Sequence, residues 1–222
     1  MTRPALVVLD LVGTTLEADD AVPLAFSEAV AAEGLTLSPD QVRGVRGATK
    51  RQALRQLLAG HADVDARAER AYERFRHALL RRYTADTVVP VAGAEDLIGC
   101  CRAAGVKVAL NTGFDRALTT HLVALLGWST AVDAVVCGDD VTSGRPAPYM
   151  IFRAMEATGV VDVGTVANVG DTALDLQAGA NAGVRWNIGV WSGAHDRATL
   201  AKAPHTHLCG SVADLPVLLF ID

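Results

Sequence analysis

Absences narrow the field first. The chain holds four cysteines, Cys100, Cys101, Cys137 and Cys209, none at C-x-x-C spacing. That excludes a zinc ribbon or a redox pair, and a chain of this length needs no disulfide staples. Reduced thiols in the cytoplasm are the expectation. Basic residues form no tract, and 25 acidic against 20 basic residues leave a net charge of −5, without the positive footprint that nucleic acid requires. No apolar run approaches the roughly 18 residues of a membrane span. The first apolar stretch, residues 5–9, stops at Asp10, too short for a signal-peptide core. Neither nucleic acid nor a membrane is therefore an expected partner. Lysine is scarce too: Lys50, Lys107 and Lys202 are the three among 20 basic residues.

What is present describes a globular protein. Hydrophobic residues make up 50% and aromatics 5% of the chain, enough for an ordinary core. At about 150 residues per domain, 222 residues allow one core plus a sizeable insertion. Residues 5–10 form a continuous apolar run, β-branched at its centre, that breaks at Gly13. Such a strand is buried on both faces, as in parallel sheets. Similar runs recur at 106–110, 132–136, 166–169 and 187–190, separated by helical spacing such as 116–126 and 146–158. The alternation predicts an α/β fold with a doubly wound parallel sheet. Between Asp19 and Ala85 the rhythm stops: helical patterns cover 22–33, 39–45, 50–58 and 65–83, and 85–93 reads as the return linker. The six histidines lack the i, i+4 spacing of a zinc pair. His195, His205 and His207 read as loop and edge-strand residues, and His61 and His77 as solvated ones.

Carboxyl ends of parallel strands converge on one crevice, so the polar residues that follow the apolar runs are the functional candidates. Four endings stand out: Asp10-Leu11-Val12-Gly13-Thr14-Thr15, Asn111-Thr112-Gly113, Gly144-Arg145-Pro146 and Gly170-Asp171-Thr172-Ala173-Leu174-Asp175. Singly, each has a plain structural explanation, since Asp before Gly makes turns, Asp171 can cap a helix, and a loop arginine is usually solvated. In this order they resemble the four motifs of the haloacid dehalogenase-like hydrolases. The resemblance spans the whole chain and implies a Rossmann-like core of residues 1–15 plus 86–222, with a helical cap of residues 16–85.

The resemblance also implies roles. Asp10 is the expected nucleophile that takes up the phosphoryl group. Asp10, the Val12 carbonyl and Asp171 are the expected oxygen ligands of Mg²⁺. Thr112, the Gly113 amide and Arg145 are expected to hold the phosphoryl oxygens, and Asp175 to orient a metal-bound water or Arg145. Pro146 is expected to start a helix.

Most phosphatases of this pattern place a second aspartate two residues after the nucleophile, as proton donor to the leaving group. Here that residue is Val12, which cannot transfer a proton. Val12-Gly13-Thr14-Thr15 is instead similar to the phosphonoacetaldehyde hydrolase branch. That branch breaks a P–C bond and uses a cap lysine to form a Schiff base with the aldehyde. Arg46-Gly47-Ala48-Thr49-Lys50 occupies the corresponding place, and arginine, abundant elsewhere, cannot form an imine. A helix dipole at Lys50 would help depress its pKa; the plainer reading is an exposed lysine in a first turn capped by Thr49. The chain departs from that branch at Arg46, where methionine is usual, at Ala53, where histidine is usual, and at Phe114, where tyrosine is usual. Arg46 and Phe114 are therefore candidate substrate contacts, Arg46 for an additional anionic group. The expected activity is P–C cleavage of a small phosphonate. A phosphatase for a small phosphorylated metabolite is the alternative, and a non-catalytic relic of the fold a third reading. Pairing of two chains through residues 22–33 is expected by analogy with the branch.

Overall fold

The structure is a computed structural model and describes residues 3–17 and 20–220; Asp19, where the expected insertion begins, lies outside them. The first strand, β1 (Leu6–Asp10), is followed by helices α1 (Ala21–Ala31), α2 (Pro39–Gly44), α3 (Lys50–Leu57) and α4 (Val64–Arg82). The α/β alternation then runs α5 (Ala94–Ala103), β2 (Lys107–Asn111), α6 (Arg116–Leu125), β3 (Ala134–Val136) and α7 (Tyr149–Thr158). It closes with β4 (Val166–Gly170), α8 (Ala173–Ala182), β5 (Trp186–Val190), α9 (Arg197–Leu200), β6 (His207–Cys209) and α10 (Leu215–Phe220).

The six strands pair in the order β3-β2-β1-β4-β5-β6, all parallel. All five residues of β1 are buried, because a central strand has helices on both faces. Its side chains alternate between them. Leu6 and Val8 join Met150, Ile151 and Ala178 of α7 and α8 on one face. Val7 and Leu9 join Leu97, Leu118 and Leu215 of α5, α6 and α10 on the other. From β1 the chain builds β2 and β3 on one side of the sheet and then crosses to add β4, β5 and β6 on the other, so the order reverses next to β1 and the crevice at the carboxyl ends opens beside Asp10.

The predicted strands are all present, shifted by a residue or two at their ends. Residues 146–158 differ: α7 begins at Tyr149, with Pro148 at its N-cap and a cis peptide bond between Arg145 and Pro146. Pro146 therefore starts no helix. Ala147 precedes a second proline, whose ring disfavours helical geometry in the residue before it.

Helices α1 to α4 form a layer of their own. The buried stripe of α1, including Phe26 and Val30, faces α4, and the rings of Phe26 and Phe75 pack tilted at 40° with centroids 4.6 Å apart. Two chain segments connect this layer to the sheet. They run antiparallel side by side, with Glu17 N–H donating to Val89 O at 2.9 Å and Val91 N–H to Thr15 O at 3.0 Å. Tyr72 of α4 donates to Asp115, whose other carboxylate oxygen accepts the Leu118 N–H of α6 at 2.8 Å. Arg76 adds an ion pair to Asp115 at 2.7 Å.

The loop before α3 sits directly on the strand ends, and glycines make the approach possible. A Cβ on Gly113 would lie 2.6 Å from Ala48 O, and one on Gly144 2.2 Å from the Thr49 methyl. Gly47 has φ +84°, and a Cβ there would lie 2.4 Å from Thr172 Oγ1. Gly47→Ala is therefore expected to cost about 1–2 kcal/mol from the left-handed backbone alone, and more from the contact, read as a lower midpoint in chemical denaturation. A cost of only a few tenths would show that the loop shifts freely.

Candidate active site

Asp10 ends β1, and Asn111 ends β2 as its partner in register. Arg145 crosses beneath them, 3% exposed. Its Nη2 lies 2.7 Å from Asp10 Oδ1 and donates to Asn111 O and Oδ1 at 3.1 and 2.5 Å. Its Nε lies 2.8 Å from Asp175 Oδ1; that contact is an ion pair and not a well-aligned hydrogen bond. Asp175 is itself fixed by a reciprocal cap with Thr172, whose N–H donates to Asp175 Oδ2 at 3.0 Å. Of the two expected roles for Asp175, the geometry is that of an arginine-orienting group.

The turn after Asp10 is closed by its own threonines. Thr15 Oγ1 donates to Asp10 O at 2.9 Å, and Thr14 Oγ1 to Asp171 Oδ1 at 3.4 Å. Gly13, at φ +96°, leaves room for Asp171: a Cβ there would fall 2.2 Å from Asp171 Oδ2. Gly193 is equally tight from the other side, at 2.2 Å, and Ala194 N–H donates to Asp171 Oδ2 at 2.6 Å. The Val12 carbonyl accepts no hydrogen bond among the described residues.

Of the three buried carboxylates, Asp10 and Asp175 thus pair with the one guanidinium, and Asp171 has no ion pair among the described residues. Burial, opposed by Arg145 and reinforced by Asp175, pushes the Asp10 carboxyl up to about 6. Burial and the charges of Asp10 and Asp175 push Asp171 well above the usual carboxylate range. An excess of buried negative charge beside a free carbonyl oxygen fits a hard divalent cation. Among the described residues no three acidic, histidine or cysteine side chains converge as a ready-made cluster. The expected set of two carboxylates and a carbonyl needs water and ligand oxygens to complete an octahedron, as Mg²⁺ commonly does.

A cavity of about 40 Å³ opens between these groups and the helical layer, lined among others by Asp10, Val12, Arg46, Lys50, Thr112 and Phe114. Thr112 Oγ1 accepts the Phe114 N–H at 3.3 Å, and the Gly113 carbonyl accepts the Lys50 N–H at 3.2 Å. Lys50 opens α3. Its amine lies 5.0 Å from the centroid of the Phe114 ring and 5.9 Å from that of Phe26, and burial lowers its pKa to about 8. Thr49 occupies the cap position without a side-chain cap bond, its methyl turned toward Gly144. Ala53 is wholly buried and takes no part in the cavity wall. A wider cleft of about 400 Å³ lies beyond Thr49 and Lys50, but none of Asp10, Arg145 or Asp171 borders it.

The structure thus brings Asp10, Val12, Arg46, Lys50, Thr112, Phe114, Arg145 and Asp171 to one cavity, with Asp175 behind Arg145. From sequence, Asn111 stands in a candidate strand ending without a role of its own, His195 reads only as a loop residue, and Gly193 goes unnoticed. His195 Nδ1 accepts the Ala173 N–H at 3.1 Å, closing the N-terminus of α8 from a loop 22 residues away, and no local pattern announces such a contact. The four cysteines are free thiols, and no described helix is long and apolar enough to cross a membrane.

Comparison with known proteins bears on the family and the fold. The chain is 30% identical to a phosphonoacetaldehyde hydrolase of Bacteroides fragilis, over 92% of this chain and 82% of that protein. It is 32% identical to one of Syntrophobacter fumaroxidans, over 86% and 73%. A phosphonoacetaldehyde hydrolase-like protein from Oleispira antarctica shares the fold at TM-score 0.87 and 24% identity, over 98% of this chain and 91% of that one. So does a phosphoglycolate phosphatase-like protein from Lactobacillus plantarum, at TM-score 0.82 and 19% identity, over 99% and 100%. Residues 4–183 match the family model of the haloacid dehalogenase-like hydrolases, and the chain belongs to that family of hydrolases.

Proposed function

We propose that this hydrolase cleaves the P–C bond of phosphonoacetaldehyde or a related carbonyl phosphonate, with Asp10 as nucleophile and Lys50 as imine former. One observation carries the reading. The cavity wall offers the leaving group a lysine amine from the helical layer, while residue 12, beside the nucleophile, is an aliphatic valine. A carbon leaving group needs an electron sink, which an iminium provides and a carboxylic acid does not.

Asp10 and Asp171, with the Val12 carbonyl, would hold Mg²⁺, which lessens repulsion between a carboxylate nucleophile and phosphoryl oxygens. Lys50 condenses with the carbonyl carbon, losing water. Asp10 Oδ then attacks phosphorus while the P–C electron pair passes into the C=N bond, leaving an enamine on Lys50 and phosphate on Asp10. Protonation of the enamine at carbon, followed by hydrolysis, returns the amine and releases the aldehyde. A second water frees the phosphate. Arg145 and Thr112 hold the phosphoryl oxygens throughout, Arg145 kept in place by Asp175 and Asn111.

The free space of about 40 Å³ has room for about three waters. Residues 16–85 would therefore act as a cap that lifts from the core of residues 1–15 plus 86–222, hinged at the paired connectors and latched through Tyr72 and Asp115. A second copy docking on the outer face of α1 belongs to the same proposal, and sedimentation at micromolar concentration reads it as a dimer.

Borohydride with the aldehyde is expected to trap a covalent adduct at Lys50, and phosphate and acetaldehyde to appear in equal amounts from phosphonoacetaldehyde. Lys50→Ala should abolish both. Phosphate release from phosphomonoesters that survives Lys50→Ala, with no phosphonate turnover, would establish a phosphatase instead. Only the neutral amine condenses, so the trapping rate should climb with pH and reach half its plateau near pH 8, where burial places the Lys50 pKa. A half-point near 10.5, the ordinary lysine value, would contradict the enclosed amine.

A further inference from the structure

Arg46 is an exception among its neighbours. Every other arginine between residues 43 and 82 donates to a carboxylate or carbonyl oxygen, such as Arg70 and Arg74 to Glu33 at 2.8 and 2.7 Å. The guanidinium of Arg46 has no hydrogen-bonded or ion-paired acceptor among the described residues. It is partly buried and borders the same cavity as Lys50, four residues on. The carboxylates at that cavity are engaged elsewhere: Asp10 by Arg145, and Asp171 by Thr14 and Ala194.

The surroundings of Arg46 are also spoken for. Gly47 and Ala194 contribute no side-chain donor. The Thr172 hydroxyl is committed to Asp175 and the Ala173 N–H to His195. Arg46 is thus an uncommitted cation on the cap side of the cavity: partly exposed and without a protein acceptor among the described residues, its guanidinium is open to the oxygens of a ligand. Its planar fork matches a carboxylate in two parallel bonds.

Building on the P–C reading, we infer that Arg46 selects a carbonyl phosphonate that bears a carboxylate on its carbonyl carbon, an α-keto acid, over the plain aldehyde. The shared cavity wall accounts for the pairing. In such a substrate the carbon that condenses with Lys50 carries the carboxylate directly, so the group that recognises it must lie beside the amine. The chemistry balances as before. Lys50 and the ketone form an iminium with loss of water, Asp10 takes phosphorus as the P–C pair enters the iminium, and the enamine is protonated at carbon. Hydrolysis then releases the methyl keto acid and, from Asp10, phosphate, with one water consumed overall. The substrate would be supplied by a reaction that builds a P–C bond on a three-carbon keto acid.

The test is phosphate release from 3-phosphonopyruvate and from phosphonoacetaldehyde with the Mg²⁺-supplemented enzyme, in wild type, Arg46→Met and Arg46→Lys, each checked for an unaltered melting profile. The wild type should favour the keto acid in kcat/KM. Arg46→Met should lower the keto-acid-to-aldehyde ratio about 10- to 100-fold, the ordinary worth of a charge-assisted hydrogen bond, chiefly through KM. Arg46→Lys should fall between. A ratio that Arg46→Met leaves unmoved, with the aldehyde still turned over, overturns the carboxylate inference alone. Equal losses on both substrates overturn it too, and point to a phosphonate contact. If neither phosphonate yields phosphate while phosphomonoesters do, the P–C reading fails together with it.

Discussion

Arg145 is the residue on which the rest of the site depends. It is buried at the base of the crevice and touches Asp10, Asn111 and Asp175, residues from three different strand ends or helix starts. A guanidinium removed from water is tolerable only with its acceptors in place, so its burial commits β1, β2 and the start of α8 to one geometry. It offsets only part of the negative charge around it, and burial together with that remaining charge raises the two carboxyl groups facing the cavity, Asp10 and Asp171. Such an imbalance of buried charge favours a cation first, and with the cation an anion.

The lysine reaches this base from a different layer of the protein. Its position is set by backbone fit more than by side-chain pairing: the Lys50 N–H is held by the Gly113 carbonyl, and glycines at 47, 113 and 144 let the loop before α3 approach within contact of the strand ends. The same enclosure that brings the amine near Asp10 removes it from water and lowers its pKa. Seating and pKa therefore have one cause, and the aromatic rings of Phe26 and Phe114 place apolar surface beside the amine.

Much of this was legible in the residues. The apolar runs announced five strands because central parallel strands are buried on both faces and leave no polar alternation to obscure them. The sixth, His207–Cys209, is short and only partly buried, and a three-residue edge strand carries little pattern. The four strand endings stood out because polar residues directly after a buried strand have few other reasons to be there. The helix expected from Pro146 misled, because two prolines in three residues signal a start and forbid it at once. The contacts of Asn111, Gly193 and His195 were hidden since their partners lie in distant parts of the chain.

The sequence by itself determined the parallel sheet, the inserted helices and the types of group at the site, since burial on both faces and the absence of a proton donor at Val12 are local facts. Only the tertiary structure decided which charges are shared and which are left over. Arg145 and Arg46 are the same residue type in a chain rich in arginine, yet one is buried among three acceptors and the other borders the cavity with none. That difference arises from chain segments meeting across the crevice, and the free energy of a charge depends on what surrounds it, not on its neighbours in sequence.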